Sequence, residues 1–358
     1  MKVLAVLPDS NAIDRVAHIA GRNIGIIWDI IGIREDCMDV DTDWAHSFIC
    51  LHDDSRIVVE EKPVGIDFDY QYTQFEQSCL KLDEPLLKYW FAFDRSGLMY
   101  GIWELGIRLY DYDPDIVVMW GDRCWYNEVT KEWARKNGKP VCFLERASFP
   151  GMLVAESTGI EQHCSDLRNI QDIYELPADF QEWKNASSRK SIEPQIETTT
   201  FELRNMIGND ENGTFVPLQV PYDTNMVYRT GVINTNSKLL EYVCDHGYDN
   251  VVVKKHPGDV FTDNDKLKIK CEEYGFKLID ASIFSILSIS SCVVSINSQV
   301  IVDAWLNGVE NIKILGQPAF DNPDIECVDH KLAILRDKYF IHPHQLYERL
   351  EAIEQMER

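Results

Sequence analysis

Four short stretches of this 358-residue chain gather side chains able to bind an anion or move a proton. In the first, the apolar run at 251–253 delivers Lys254, Lys255 and His256 to its end, and Pro257-Gly258 turns the chain away. Two ammonium groups beside an imidazole suit a phosphate or carboxylate, and they equally suit a solvated strand end with His256 capping a neighbour. In the second, Ser295, Asn297, Ser298 and Gln299 crowd the turn between an apolar run and the helical pattern at 300–307. A helix start offers unpaired N–H groups and favours an anion. One Asn or Ser suffices for a cap, so three exceed that need.

The other two stretches carry carboxylates. Asp223 follows the apolar segment 214–220 and Pro221; it is placed to act as a nucleophile or base, or simply as an Asx turn. Glu145 ends the run Pro140-Val141-Cys142-Phe143-Leu144, where it fits a general acid or base, or an ion-pair network with Arg146. The Asp-x-Asp runs at 39–43 and 111–113 resemble magnesium or manganese holders, but chance matches are expected in a chain this acidic. Neither closes an apolar strand, so no metal site is assigned. Glycine-rich phosphate loops, dinucleotide fingerprints, zinc-protease helices and nucleophile elbows have no match.

Charge narrows the partners. A formal net charge of −24 repels nucleic acid and anionic lipid, so a binder of phosphate backbones is excluded. An anionic ligand would need positive charge concentrated locally. The ten cysteines are scattered without metal-like spacing, which predicts buried free thiols in a reducing compartment. The start Met1-Lys2-Val3-Leu4 turns polar too soon for a signal peptide, and no apolar run reaches membrane-spanning length. A soluble cytoplasmic protein is expected, with no direct membrane insertion.

The elements that must hold these groups form two βα arrays. Strands are predicted at 3–7, 47–51, 56–59, 115–121 and 140–144, with helices from 12 and at 70–81, 84–93, 100–110 and 128–137. After a polar stretch at 184–213, strands are predicted at 214–220, 250–254, 277–279, 292–296 and 311–315. Helices in that half are predicted at 237–246, 264–274, 283–289 and 300–307. Continuous apolar strands alternating with helices signal parallel sheets covered on both faces. The fold class is α/β, with two Rossmann-type domains at 1–210 and 211–358. A C-terminal helix at 343–356 is expected to pack back across the molecule. Ligands of such sheets sit at the carboxyl ends of the strands, where all four stretches fall.

Taken in order, these stretches resemble the retaining β-Kdo glycosyltransferases of bacterial capsule and O-antigen assembly. The resemblance lies in Gln219-Val220-Pro221-Tyr222-Asp223-Thr224, in Lys254-Lys255-His256-Pro257, and in Ser295-Ile296-Asn297-Ser298-Gln299 with Ala304 and Gly308. The Gly316-Gln317-Pro318 turn and, upstream, Glu145 with Phe149-Pro150-Gly151 and Gly159 are also similar. The similarity implies a GT-B-like fold with an interdomain cleft, CMP-β-Kdo as donor, no metal or cofactor, and net retention. It further implies that Lys255, His256, Pro257, Ser295, Asn297, Ser298 and Gln299 hold the donor. Asp223 would then be the nucleophile, Glu145 the acid/base, and a lipid-linked glycan the acceptor. The enzyme would approach the inner membrane only through partners, and the helix running to the sequence end fits one module of a larger synthase. Two other readings stand beside it: a GT-B enzyme using a different nucleotide sugar, and a non-catalytic module of a polysaccharide synthesis complex.

Overall fold

A computed structural model describes residues 1–51 except 24, 34–36, 38 and 39, and residues 104–187 except 122, 123, 150, 160–166 and 168–174. It also describes residues 213–357 except 222–225, 227–230, 319, 322 and 323. The expected strand at 56–59, the helices at 70–81 and 84–93, and Asp223 therefore lie outside the described residues. Of the expected helix at 100–110, residues 104–109 are helical.

The chain divides into two units, Met1–Cys164 with Phe340–Arg358, and Ser165–Tyr339. In unit 1, β1 (Lys2–Leu7) is apolar and buried from Val3 onward. It leads to α1 (Ser10–Ala20), capped by Asp9, whose carboxylate accepts from the Ala12 N–H at 2.9 Å. Ala12, Ile13, Val16 and Ile19 recur at helical spacing and bury that face of α1. Then come β2 (Ile27–Gly32), β3 (Ser47–Cys50), β4 (Ile116–Trp120), α2 (Trp125–Lys136), β5 (Val141–Arg146) and β6 (Leu153–Glu156). The seven-stranded sheet has the order β12-β6-β5-β4-β1-β2-β3, where β12 is Phe340–Ile341. From β3 to β5 all neighbours are parallel, while β6 runs antiparallel to both β5 and β12.

Unit 2 contains α3 (Phe180–Ser187), β7 (Gly213–Pro217), α4 (Asn236–Asp245), β8 (Val251–Lys254) and α5 (Asn264–Glu273). It continues with β9 (Lys277–Leu278), α6 (Ile283–Leu287), β10 (Ser290–Ser295), α7 (Val300–Leu306), β11 (Asn311–Ile314) and α8 (Val328–Ile334). Its five strands are all parallel in the order β11-β10-β7-β8-β9. One apolar cluster joins Val216, Val253 and Val294 to Leu239, Leu240 and Val243 of α4. Phe215, Val252 and Val293 point to the opposite face and pack with Ile286 and Ala304. Strands buried on both faces read as unbroken apolar runs. Two α/β units with largely parallel sheets agree with the expected fold class.

The domain division differs from the one expected at 210/211. Residues from Ser165 onward belong to unit 2, where Lys184 of α3 pairs with Asp329 of α8 at 2.5 Å and Arg336 lies over the Trp183 ring. The C-terminal segment returns to unit 1 as α9 (Leu346–Glu357), as the expectation of a helix packing back had it. Leu346, Leu350 and Ile353 are fully buried against the seven-stranded sheet. Arg349 donates to the Ala155 carbonyl and pairs with the buried Glu156 at 3.1 Å, while Asn23 bonds both Pro343 and Tyr347.

Candidate functional site

In a doubly wound sheet, ligands bind outside the carboxyl ends of the strands where the strand order reverses. In unit 2 the chain proceeds from β7 outward through β8 to β9, then returns to place β10 on the other side of β7. The reversal therefore lies between β7 and β10. Beyond β7, Leu218 still donates to the Lys254 carbonyl at 2.9 Å, and the next residue is the buried Gln219.

Gln219 joins three elements. Its side-chain oxygen accepts from the Asn297 N–H at 3.3 Å, reaching from the end of β7 to the end of β10. Its backbone N–H donates to the Asn236 side-chain oxygen at 3.1 Å, and Asn236 returns a bond to the Gln219 carbonyl at 2.7 Å. That clamps the start of α4, whose cap is Thr235, to the same point. Gly316 closes the other flank: its N–H bonds the Ile296 carbonyl, and a Cβ there would lie 2.9 Å from that oxygen.

The turn after β10 holds Ser295, Asn297, Ser298 and Gln299 together. Ser295 and Asn297 are buried, Ser298 is half-buried and Gln299 exposed. The hydroxyls serve the turn first, because Ser295 Oγ accepts from the Ser298 N–H and Ser298 Oγ from the Val300 N–H. Ile301 and Val302 donate to the Ser298 and Gln299 carbonyls. The N–H groups of Val300, Ile301 and Val302 are thus satisfied within the turn, so the anion site expected at this helix start is replaced by a compact, locally bonded turn.

The loop after β8 is equally organised. Lys255 donates to the Thr262 carbonyl at 2.6 Å and to Asn264 Oδ1 at 2.9 Å, which uses two of its three N–H donors. Lys254 pairs with Asp280 at 3.2 Å. The Asp263 carboxyl is held below its ordinary range, chiefly by the Lys266 N–H and partly by the charge of Lys255. The dense local cation expected from the sequence is therefore largely matched by acids and carbonyls further along the chain. His256 and Pro257 are exposed, and His256 Nδ1 accepts from the Gly258 N–H at 3.0 Å, which places the neutral ring's proton on Nε2. Asp259 is buried; its Oδ1 accepts from the N–H groups of Phe261 and Thr262 and shapes the loop around His256.

The structure thus brings Lys255, His256, Pro257, Ser295, Asn297, Ser298 and Gln299 to one edge of the unit-2 sheet, on the ends of β8 and β10 that flank β7. It adds Gln219, Asn236 and Asp259, which the residue-level reading left without roles. Glu145 belongs to unit 1, half-buried at the end of β5, where its Oε1 accepts from the Arg146 N–H at 2.8 Å. Among the described residues, no group of three His, Cys, Asp or Glu side chains is placed to hold a metal ion, and no helix is long and apolar enough to cross a membrane.

The molecule is thus a protein of two α/β units with largely parallel sheets, the second with a polar edge at its strand reversal. No protein-family model and no curated protein matches the chain. Similar solved structures include the KpsC β-Kdo 2,7 transferase of Thermosulfurimonas dismutans, at 18% identity over 70% of this chain and 89% of that one, with a TM-score of 0.41. They also include the UDP-GlcNAc 2-epimerase of Neisseria meningitidis bound to UDP-GlcNAc, at 12% identity over 100% and 94% of the two chains, with a TM-score of 0.32. The UDP-N-acetylglucosamine 2-epimerase of Rickettsia bellii is 11% identical over 86% and 76%, with a TM-score of 0.34. At these identities and scores, a functional reading rests on the chain's own residues.

Proposed function

We propose that the chain is a retaining glycosyltransferase that binds a nucleotide-sugar donor at the carboxyl edge of the unit-2 sheet, with CMP-β-Kdo as the donor and a lipid-linked glycan as the acceptor. The observation that carries this reading is the convergence of Gln219, His256 and Asn297 on three adjacent strand ends at the reversal of strand order. In the proposed mechanism, the Asp223 carboxylate attacks the anomeric carbon, the bond to the phosphate oxygen breaks, and CMP leaves. The acceptor hydroxyl then displaces Asp223 while Glu145 takes its proton, giving net retention. His256 Nε2–H donates to the donor's phosphate or carboxylate, and Asn297, Ser298 and Gln299 bond the nucleoside and sugar.

The test is a comparison of melting shifts with CMP, UDP and GDP, followed by CMP release from CMP-Kdo. Ligand at 100 times its dissociation constant stabilises by about 2.7 kcal/mol, so CMP alone should shift the melt. Asp223→Asn should abolish transfer and keep the CMP-induced shift. Full transfer by that variant would refute the nucleophile role. A second reading, favoured by the matched charges of Lys254 and Lys255, is a donor whose sugar is neutral; a shift with UDP or GDP and none with CMP would select it.

A further inference from the structure

Pro257-Gly258 reads in the sequence as a turn, yet Gly258 lacks the left-handed backbone that Gly247 and Gly275 adopt. Space, rather than conformation, calls for glycine there. A Cβ at this position would lie 3.3 Å from His256 Nδ1, 3.4 Å from His256 Cε1 and 3.9 Å from Val220 Cγ2. Val220 follows Gln219 beyond β7, so the missing side chain lets the loop after β8 close both on that strand end and on its own imidazole.

The loop holds His256 by two successive N–H groups. That of Gly258 donates to the ring Nδ1 at 3.0 Å, and that of Asp259 donates to the His256 carbonyl at 3.0 Å. Asp259 fixes the far side of the turn. It is 4% exposed, and its Oδ1 accepts from Phe261 N–H at 3.0 Å and Thr262 N–H at 2.9 Å. The Thr262 carbonyl in turn accepts from Lys255 Nζ. One buried carboxylate thus ties together the residues on both sides of His256.

The bond to Nδ1 is the one whose use is not structural. His256 and Gly258 are exposed, so water could serve either group and the bond adds little to stability. An exposed imidazole is otherwise free to change rotamer and tautomer. With Nδ1 occupied by a donor, the ring is held in one orientation with its proton on Nε2.

We infer that Gly258 and Asp259 are positioning residues for His256, which they present to the ligand as a hydrogen-bond donor through Nε2. Only the ligand assay rests on the transferase reading above; the state of the ring is read without a ligand. The full chain is labelled with 15N-histidine, and the signal of His256 among the nine histidines is identified by its loss in His256→Gln. Long-range 1H–15N correlation at neutral pH should show one species, protonated at Nε2 and bare at Nδ1. Gly258→Ala keeps the backbone N–H but pushes the ring aside, and Asp259→Ala frees the turn. Each should shift the Nδ1 signal toward that of a freely averaging imidazole and weaken CMP binding, measured by calorimetry, about tenfold. Asp259→Asn, which keeps Oδ1, should restore the single species and the affinity. Gly258→Ala should melt no lower than the parent, because its position is exposed and alanine narrows the unfolded ensemble. A His256 ring protonated at Nδ1 in the parent would overturn the inference, as would an unchanged ring signal in Gly258→Ala. Failure of CMP to bind the parent counts against the transferase, while the ring signals still decide the positioning role.

Discussion

Replacing Gln219 with leucine tests whether the unit-2 edge is held as described. Leucine fills similar volume, so no large cavity forms, and the backbone bonds between residue 219 and Asn236 persist. What disappears is the acceptor for the Asn297 N–H, which the native side chain meets at 3.3 Å in a buried position. A buried donor left without its partner costs about 1–3 kcal/mol. For a unit the size of Ser165–Tyr339, a loss of about 2 kcal/mol lowers the melting temperature by about 4–8 °C. Thermal unfolding by circular dichroism measures that shift, and amide hydrogen exchange reads the Asn297 N–H directly. Exchange there should accelerate by up to about 30-fold, while amides in the middle of β8 change no more than global stability requires. Nucleotide-induced stabilisation should fall as well, since Asn297 is no longer held. A variant that melts within about 0.5 kcal/mol of the parent, with unchanged exchange at Asn297, would refute the clamp.

Other positions give sharper contrasts. Gly316→Ala should cost about 1–3 kcal/mol by thermal melting, because its Cβ would meet the Ile296 carbonyl oxygen and side chain at 2.9 Å. Gly21→Ala, at φ −61° with its nearest neighbour 3.8 Å away, should instead gain about 0.4–1 kcal/mol. Arg349→Ala should destabilise unit 1 by about 3 kcal/mol in denaturant titration, because it takes the ion pair from buried Glu156. In the native protein iodoacetamide should label exposed Cys244 and Cys327 and spare Cys142 and Cys271, as peptide mapping would show. Burial pushes the Cys271 thiol up to about 11 from 9.0 and raises Cys142 and Cys292 as well. Above pH 9 the unfolded chain therefore loses protons that the native state keeps, and stability measured by urea titration should fall as pH rises from 9 through 11.

Much of the architecture was legible because parallel strands buried on both faces write themselves as apolar runs. Residues 3–7, 250–254 and 311–315 announced β1, β8 and β11 within a residue at either end. β2 was hidden by Asp29, a buried carboxylate in mid-strand that accepts from Ser47 Oγ and pairs with Lys2, partners that sequence patterning does not reveal. β6 and β12 pair antiparallel with each other at one end of an otherwise parallel sheet, and the sequence pattern did not reveal them. The unit division was not legible because α3 is tied to unit 2 by the Lys184–Asp329 pair and α9 to unit 1 by Leu346, Leu350 and Ile353, contacts that local composition does not show.

The site shows the same division. His256 and the Ser295–Gln299 turn were visible as polar groups ending apolar runs. Gln219 stood out only within a resemblance, since its role is a side-chain bond to the backbone of a turn 78 positions away. The lysines were visible and their partners were not. Lys255 is tied to Thr262 and Asn264, and Lys254 to Asp280, so the charge that sequence alone would offer to a donor phosphate serves the loop.

That distribution of charge bears on how an acidic protein handles anionic ligands. At the unit-2 reversal Lys254 and Lys255 are answered from within, and the exposed side chains on that edge include the His256 ring and the Gln299 amide. Such groups recognise shape and hydrogen-bonding pattern, with weak dependence on salt. At the unit-1 reversal the Arg15 guanidinium lies 5.3 Å from the Trp120 ring centroid, with burial and the charge of Arg146 lowering its pKa and Glu145 and Asp9 raising it. A nucleotide held at the unit-2 edge, as proposed above, should therefore lose little affinity as salt rises, and calorimetric titration at low and high salt checks this.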